Sequence, residues 1–327
     1  MLNEIHQEPT GQVALYETED RYQSLLTEMF GQRFTDYRQR WRETSERGRP
    51  GDFPLSLDLA INSGCQLRCL MCPLQSRADG GQVRLMDEKL FSRLIDQARE
   101  HRLPAMTLGL ASEPLLNPRA AEWTAAAVRA GVMDIRLGTN GLALKETVIK
   151  ALVDSGLTRL EISVDAVRPE TYQDIRGGRL DILEKRIEQF LKIRASAGQR
   201  TPLLRLSFLK LPRNQGELEP FLERWSGLAD LISIQEPIWF PGSGLPKPPG
   251  PVKSIAPNCS QPWQRLAVNY DGSVWPCCSW YGEALLPFQA GEISLAEIWR
   301  SQEMDELRRS LSSTDGHFPP ACEPCEC

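Results

Sequence analysis

The 327-residue chain has no excess of positive charge. Lys and Arg number 38 against 43 Asp and Glu, a formal charge of −5. Broad nucleic-acid binding rests on a basic face, so this balance speaks against it. No apolar run reaches the ~18 residues that a membrane span needs, and the first ten residues are polar, without a basic stretch leading into an apolar one. Histidine is scarce, at His6, His101 and His317 only. Between Cys72 and Cys259 there is no thiol at all. A secreted, membrane-spanning or collagen-like chain is thereby excluded as an expectation, and a cytoplasmic globular protein is expected.

What is present is cysteine, nine in two groups: Cys65, Cys69 and Cys72, then Cys259, Cys277, Cys278, Cys322, Cys325 and Cys327. An odd count without a secretion signal fits a disulfide framework poorly, because cytosolic thiols stay reduced. Clustered thiols in such a chain more often bind metal or do chemistry.

Residues 1–50 read as a helical lead-in. Tyr22, Leu25, Leu26, Met29 and Phe30 fall at helical spacing, Gly31 interrupts, and Phe34, Tyr37 and Trp41 form a second stripe. These aromatics are expected to pack against the main domain. From residue 51 the pattern alternates. Strands are expected at 55–62, 105–110, 133–138, 159–164, 203–209 and 231–235. Helices are expected at 87–99, 118–130, up to 153, 179–195 and 218–225. Six strand-then-helix units suggest a parallel α/β sheet over residues 51–236. Six are too few for a closed eight-unit barrel, so a partial (β/α)6 barrel is expected, with a flat doubly wound sheet as the alternative. Residues 237–257 hold seven prolines and three glycines, so 237–258 reads as a linker. Residues 259–327 form a small cysteine-rich unit, with a hairpin turning at Asp271-Gly272 and an amphipathic helix over 295–311. A thin core of that size benefits from a metal staple.

The first cysteine string is Asn62-Ser63-Gly64-Cys65-Gln66-Leu67-Arg68-Cys69-Leu70-Met71-Cys72-Pro73. It follows the first strand, and in α/β barrels the loops at the C-terminal strand ends carry the active site. Iron–sulfur clusters normally take four thiolates; a local set of three leaves one iron open to a substrate or cofactor. A zinc knot with a distant fourth cysteine is the plainer alternative.

This C-x3-C-x2-C string resembles the signature of the radical S-adenosylmethionine (SAM) superfamily, with Met71 at a position that is usually aromatic. Further strings fit the resemblance, each at the end of an expected strand. Leu110-Ala111-Ser112-Glu113-Pro114 stands where the family often has Gly-Gly-Glu-Pro. Thr139-Asn140-Gly141 and Ile162-Ser163-Val164-Asp165 follow, then Tyr172 and Arg176-Gly177. The resemblance implies that Cys65, Cys69 and Cys72 hold a 4Fe–4S cluster. It implies that Met71, Ser112, Glu113, Thr139, Asn140, Ser163, Asp165 and Arg176 serve SAM binding, Glu113 at the methionine amine. Ala111 and Ser112 in place of glycines depart from the pattern, and glycine's close backbone approach is what the departure affects.

The C-terminal segment resembles the SPASM/twitch extension. Cys259 and Cys277 bracket the hairpin, Cys322-Glu323-Pro324-Cys325 supplies a tight pair, and Ser294 to Trp299 is typical of it. The resemblance implies one auxiliary 4Fe–4S cluster on Cys259, Cys277, Cys322 and Cys325, with zinc at the same thiols as the rival. Cys278 is either a small packing residue or a catalytic hydrogen-atom donor; Cys327 is an alternative ligand or a frayed end. The reaction implied is hydrogen abstraction from a polar small molecule (sugar, cyclitol or aminoglycoside-like), ending in dehydrogenation or epimerisation. An electron donor such as flavodoxin or ferredoxin is implied as partner. Residues 1–50 read as too short and helical for a leader-binding domain, which leans away from a peptide substrate without closing that option. The rival of another class is a zinc-stapled, non-catalytic binding protein.

Overall fold

Alternation of apolar and polar residues along six short strands builds the centre of the molecule. The computed structural model describes residues 5–8, 11–16, 19–46, 49–72, 82–237, 242–246, 259–277 and 286–313. The chain opens with a hairpin, β1 (Ile5–Glu8) and β2 (Gly11–Tyr16), followed by helices α1 (Glu19–Phe30) and α2 (Gln32–Ser45). Then come β3 (Ser56–Leu59), α3 (Glu88–Glu100), β4 (Ala105–Leu108), α4 (Ala120–Arg129), β5 (Asp134–Thr139), α5 (Glu146–Asp154) and β6 (Arg159–Ser163). Two helices follow, α6 (Pro169–Arg176) and α7 (Leu180–Ser196), then β7 (Leu203–Leu209), α8 (Leu218–Trp225) and β8 (Leu231–Gln235). The C-terminal part contributes α9 (Gln261–Gln264), β9 (Arg265–Val268), β10 (Ser273–Trp275), β11 (Leu286–Gln289), α10 (Leu295–Trp299) and α11 (Gln302–Ser312).

Strands β3 to β8 are parallel and lie side by side in chain order. A doubly wound sheet reverses its strand order at a switch point; this one does not, and the fold is the open, partial barrel. The sheet runs on at both edges: β2 pairs antiparallel with β8, and β9 pairs parallel with β3, carrying β10 and β11 with it. The cysteine-rich unit is thus hydrogen-bonded to the strand that leads into the first cysteine loop.

One face of the strands is apolar. Leu57, Leu59, Ile135, Leu137, Leu160, Ile162, Leu204 and Leu206 are fully buried against α3, α4, α5 and α7. Because side chains alternate along a strand, the other face carries Asp58, Arg136, Glu161, Arg205, Ser207 and Ser233. The barrel interior is therefore polar, and its charges are paired: Arg265 with Asp58 at 3.0 Å, and Arg136 with Glu161 at 3.1 Å.

The lead-in has a place. Tyr22, Leu25, Leu26, Phe34 and Tyr37 are buried against Leu55, Ala105, Met133, Leu203 and Leu231, which lie at the N-terminal ends of the strands. Tyr22 Oη donates to Asp134 Oδ2 at 2.5 Å. The two helices plug the barrel at the end opposite the cysteine loop. Ahead of them the chain is extended, not helical, in the hairpin that joins the β8 edge.

Two helices depart from expectation. The stretch 295–311 breaks in two at Arg300-Ser301. Ser294 closes a capping box with Glu297, and Ser301 caps again by accepting from Met304 N; a second capping residue starts a second helix. Helix α6 was absent from the strand–helix reading, although Pro169 at its start and Gly177 at its left-handed end (φ 72°) are ordinary helix punctuation. No helix among the described residues is long and apolar enough to cross a membrane.

Candidate active site

The loop after β3 is pinned by hydrogen bonds within the protein. Asn62, fully buried, accepts from Gly64 N at 2.9 Å and donates through Nδ2 to the Glu113 carbonyl at 2.8 Å. Leu70 N donates to Ile175 O, and Leu70 O accepts from Gly244 N, both at 2.7 Å. A Cβ on Gly244 would stand 2.7 Å from the Leu70 side chain, so glycine lets that segment cross so closely.

Within this loop Cys69 is buried and Cys65 and Cys72 are half-buried. Asn140 Nδ2 donates to Cys65 Sγ at 3.6 Å, and Arg176 Nη1 to Cys69 Sγ at 3.8 Å. Burial pushes the Cys65 thiol up to about 11, against the pull of the Leu67 N–H. Burial likewise raises the Cys69 thiol, and Arg176 works the other way. A bound metal overrides such shifts by deprotonating its thiol ligands. The donor set fits an iron–sulfur cluster: three soft sulfurs from one loop, with N–H groups directed at two of them, as cluster sulfurs accept. The described histidine with ring contacts, His101, stacks on Phe53 at the end of α3. Met71, between two of the thiols, is half-buried.

Glu113 is the hub of the strand ends. The residue is 1% exposed. Oε1 accepts from Thr139 Oγ1 at 2.6 Å and Leu115 N at 3.1 Å; Oε2 accepts from Asn140 N at 2.7 Å. Burial raises its pKa, and these hydrogen bonds oppose the rise. Thr139 Oγ1 in turn accepts from Gly141 N, and Asn140 Oδ1 accepts from Leu142 N and Gln66 Nε2. Glu113 thus fixes the Asn140 that addresses Cys65. Ser112 is half-buried and donates to Leu110 O at 3.2 Å. Ala111, in the stretch that departs from the glycine-rich pattern, sits at φ 49°. The left-handed region costs a non-glycine residue roughly 1–2 kcal/mol, partly offset by glycine's greater unfolded freedom. Ala111→Gly is expected to raise stability by up to about 1 kcal/mol, read by denaturant titration.

Ser163 ends β6, half-buried, opposite Ser207 of β7. Asp165 is fully buried at φ 65°. Its Oδ2 accepts from Arg176 Nε at 2.7 Å and from Arg176 Nη2, and its Oδ1 from Leu209 N at 2.7 Å. The structure therefore gathers Cys65, Cys69, Cys72, Glu113, Thr139, Asn140, Asp165 and Arg176 at one end of the barrel. Asn62, Gln66 and Gly244 join them, and sequence reasoning did not single them out; Asn62 and Gln66 lie inside the cysteine string itself, while Gly244 had no signal beyond a Pro/Gly-rich stretch. Cys259, just before α9, and Cys277, just after β10, are both half-buried. Cys278, Cys322, Cys325 and Cys327 lie outside the described residues, as does most of the expected linker.

Known proteins share this architecture. The sequence pattern of the radical SAM superfamily matches residues 59–203, and that of the SPASM iron–sulfur cluster-binding domain matches residues 259–326. A probable GTP 3′,8-cyclase of Methanococcus maripaludis is 27% identical over 183 residues, 55% of this chain and 58% of that protein; the chain spans under two thirds of the length of such curated relatives. Among solved structures, Streptococcus suis SuiB bound to S-adenosylmethionine superposes with a TM-score of 0.67 at 13% identity, over 94% of this chain and 89% of that one. SuiB has also been solved with its precursor peptide SuiA. BtrN in complex with AdoMet and 2-DOIA gives a TM-score of 0.51 at 16% identity, over 79% and 86%. Two domain matches in the expected order, on a partial barrel whose first loop carries three thiols, make this chain a radical SAM enzyme with a C-terminal SPASM domain, a family whose cofactors are 4Fe–4S clusters and S-adenosylmethionine.

Proposed function

We propose that Cys65, Cys69 and Cys72 hold a 4Fe–4S cluster by three of its irons and leave the fourth to S-adenosylmethionine, and that the enzyme takes a hydrogen atom from a polar small molecule. The chemistry supplied there, once both are bound, is reductive cleavage of S-adenosylmethionine and hydrogen abstraction by the 5′-deoxyadenosyl radical released. The observation that carries the reading is the loop itself: three thiols at the C-terminal strand ends, with Asn140 and Arg176 donating to two of them. Glu113 keeps Thr139 and Asn140 in place, and Ser112 and Ser163, after β4 and at the end of β6, stand on either side of β5 for the sugar and amino-acid parts of S-adenosylmethionine.

The polar interior supports a polar substrate. Arg205 is 5% exposed and lies 4.0 Å from Glu161, which also holds Arg136. An apolar substrate would meet these groups at the cost of their desolvation. Glu236, another candidate for substrate contact, is paired with Lys210 and half exposed, and so is the weaker of the two. A sugar, cyclitol or aminoglycoside-like molecule is the substrate class proposed. A peptide is the second reading, kept by SuiB, whose structure holds its precursor peptide. Cys259, Cys277, Cys322 and Cys325 are proposed to ligate one auxiliary cluster, and Cys278 to be the thiol available for hydrogen return. An electron donor of the flavodoxin or ferredoxin class completes the reaction.

Dehydrogenation and epimerisation part in D2O. An epimerase returns one solvent-derived deuterium to the inverted carbon, and Cys278→Ala abolishes that incorporation while S-adenosylmethionine cleavage persists. A dehydrogenase gives a product two mass units lighter with no deuterium. A panel of aminocyclitols and sugars, run beside candidate peptides, tests the substrate class; turnover of peptides alone would overturn it.

A further inference from the structure

Arg176 meets Cys69 twice. It is the last residue of α6, and its carbonyl faces the sulfur at 3.8 Å; its Nη1 reaches the same sulfur at 3.8 Å. The guanidinium is held from behind. Its side chain is 13% exposed and that of Asp165 1%. Nε and Nη2 both lie on Asp165 Oδ2, while Asp165 Oδ1 is held by Leu209 N and its carbonyl by Asn214 Nδ2, each at 2.7 Å. Asp165 is thus fixed at two points, to the end of β7 and to Asn214 in the loop that follows it, and the one arginine nitrogen left over is aimed at sulfur.

Once Cys69 is a thiolate ligand it has no proton to give the Arg176 carbonyl, while the guanidinium contact stays favourable. We propose that Arg176, locked by Asp165, is a positioning residue that sets how readily the cluster on the first three cysteines accepts its electron. The inference rests on the reading of Cys69 as a cluster ligand. A low-potential one-electron donor reduces the cluster, which gains one negative charge, and no bond forms or breaks. A cation beside a ligand sulfur favours the reduced state, since charges this close interact strongly where water is excluded. Asp165 carries the opposite charge one residue further out and tempers the effect. Removing the two charges must then shift the equilibrium in opposite directions, which loss of a merely structural contact would not do.

The test is a potentiometric titration of the anaerobically reconstituted full-length enzyme, with dithionite as reductant and electron paramagnetic resonance as readout. The signal is assigned by its loss in the variant lacking Cys65, Cys69 and Cys72. Arg176→Gln is expected to lower the ratio of reduced to oxidised cluster at fixed potential tenfold, about 59 mV for one electron. Asp165→Asn is expected to raise that ratio, and Arg176→Lys, which keeps the charge, to change it less than threefold. Shifts of the same sign in Arg176→Gln and Asp165→Asn, or ratios within twofold of wild type in both, overturn the proposal. Should Arg176→Gln fail to fold, the sign in Asp165→Asn and the small change in Arg176→Lys decide it. A wild-type protein that shows no signal dependent on the three cysteines refutes the ligand assignment instead, a distinct outcome.

Discussion

Replacing Cys65, Cys69 and Cys72 together with Ala abolishes S-adenosylmethionine cleavage and removes about half of roughly eight irons, the content of two four-iron clusters. The effect is expected to be all-or-none, because three ligands from one loop leave no partial set able to hold the cluster. The fold should survive. The loop is tied by main-chain bonds that Ala retains: Leu70 N to Ile175 O, Gly244 N to Leu70 O, and Cys72 N to Cys69 O. Cys259 and Cys277 flank β9 and β10 and belong to a different segment of the chain from this loop, so the proposed second cluster is expected to stay in place. Iron quantitation, the melting temperature and chromatographic detection of 5′-deoxyadenosine give the three readouts. Persisting cleavage would refute the role of these thiols. A colourless wild-type protein that carries zinc would establish the non-catalytic rival.

Glu113→Ala has the second large effect, on stability. Three donors lose their acceptor at once: Thr139 Oγ1, Asn140 N and Leu115 N. A buried donor left unpaired costs about 1–3 kcal/mol, so a loss of about 3–5 kcal/mol is expected even if one donor finds a new partner. That is a large share of a typical domain stability of about 5–15 kcal/mol. Asn140 is freed with it, so its contact to Cys65 is lost as well. Glu113→Gln should fall between, since its amide oxygen still accepts but its NH2 group meets a donor. Denaturant titration checks the order wild type, Gln, Ala; a Glu113→Ala variant within ~0.5 kcal/mol of wild type, the spread of ordinary surface changes, would sink the account. pH adds a signature. Burial raises the Glu113 pKa in the folded state, so the folded chain holds this proton more tightly than the unfolded chain. The group's contribution to stability is therefore full below the ordinary carboxylate range and is lost as pH rises through the folded value. Glu113→Gln has no such proton, and its stability should lack that component.

Glu217 shows the opposite sign in the same end of the barrel. Burial works against its charge, but hydrogen bonds from Thr171, Val167 N, Arg168 N and the Arg168 side chain hold its pKa below the usual value. Its contribution is present above the unfolded pKa and lost as pH falls through the folded one. Both carboxylates tie the segment after one strand to the end of a neighbouring strand or the segment after it, Glu113 from β4 to β5 and Glu217 from β7 to β6, and they differ in how many charged donors face them.

Much was legible along the chain because strand and helix periods differ and are short-range. The six parallel strands fall where runs such as Leu203 to Leu209 and Leu231 to Gln235 placed them, and the three thiols within eight residues announced soft-metal chemistry before any fold was known. Local punctuation was legible too, though Pro169 and Gly177 around α6, and Ser301 inside the last helical stretch, were outweighed by the longer pattern. What the chain order could not disclose is which side chain meets which. The charges of Arg136, Glu161 and Arg205 become a barrel interior only when the strands stand side by side. Glu113 read as a ligand for a cofactor's amine, yet its oxygens are also the acceptors that hold Thr139 and Asn140, residues 26 and 27 positions away. The resemblance placed Asp165 among the residues that serve SAM binding, and only the fold shows that its carboxylate meets Arg176. Periodicity and thiol spacing are properties of neighbours in sequence, so the sequence alone determined the architecture and the kind of metal chemistry. Which carboxylate faces which donor depends on strand register and loop crossing, and those were decided only when the sheet closed around the first loop.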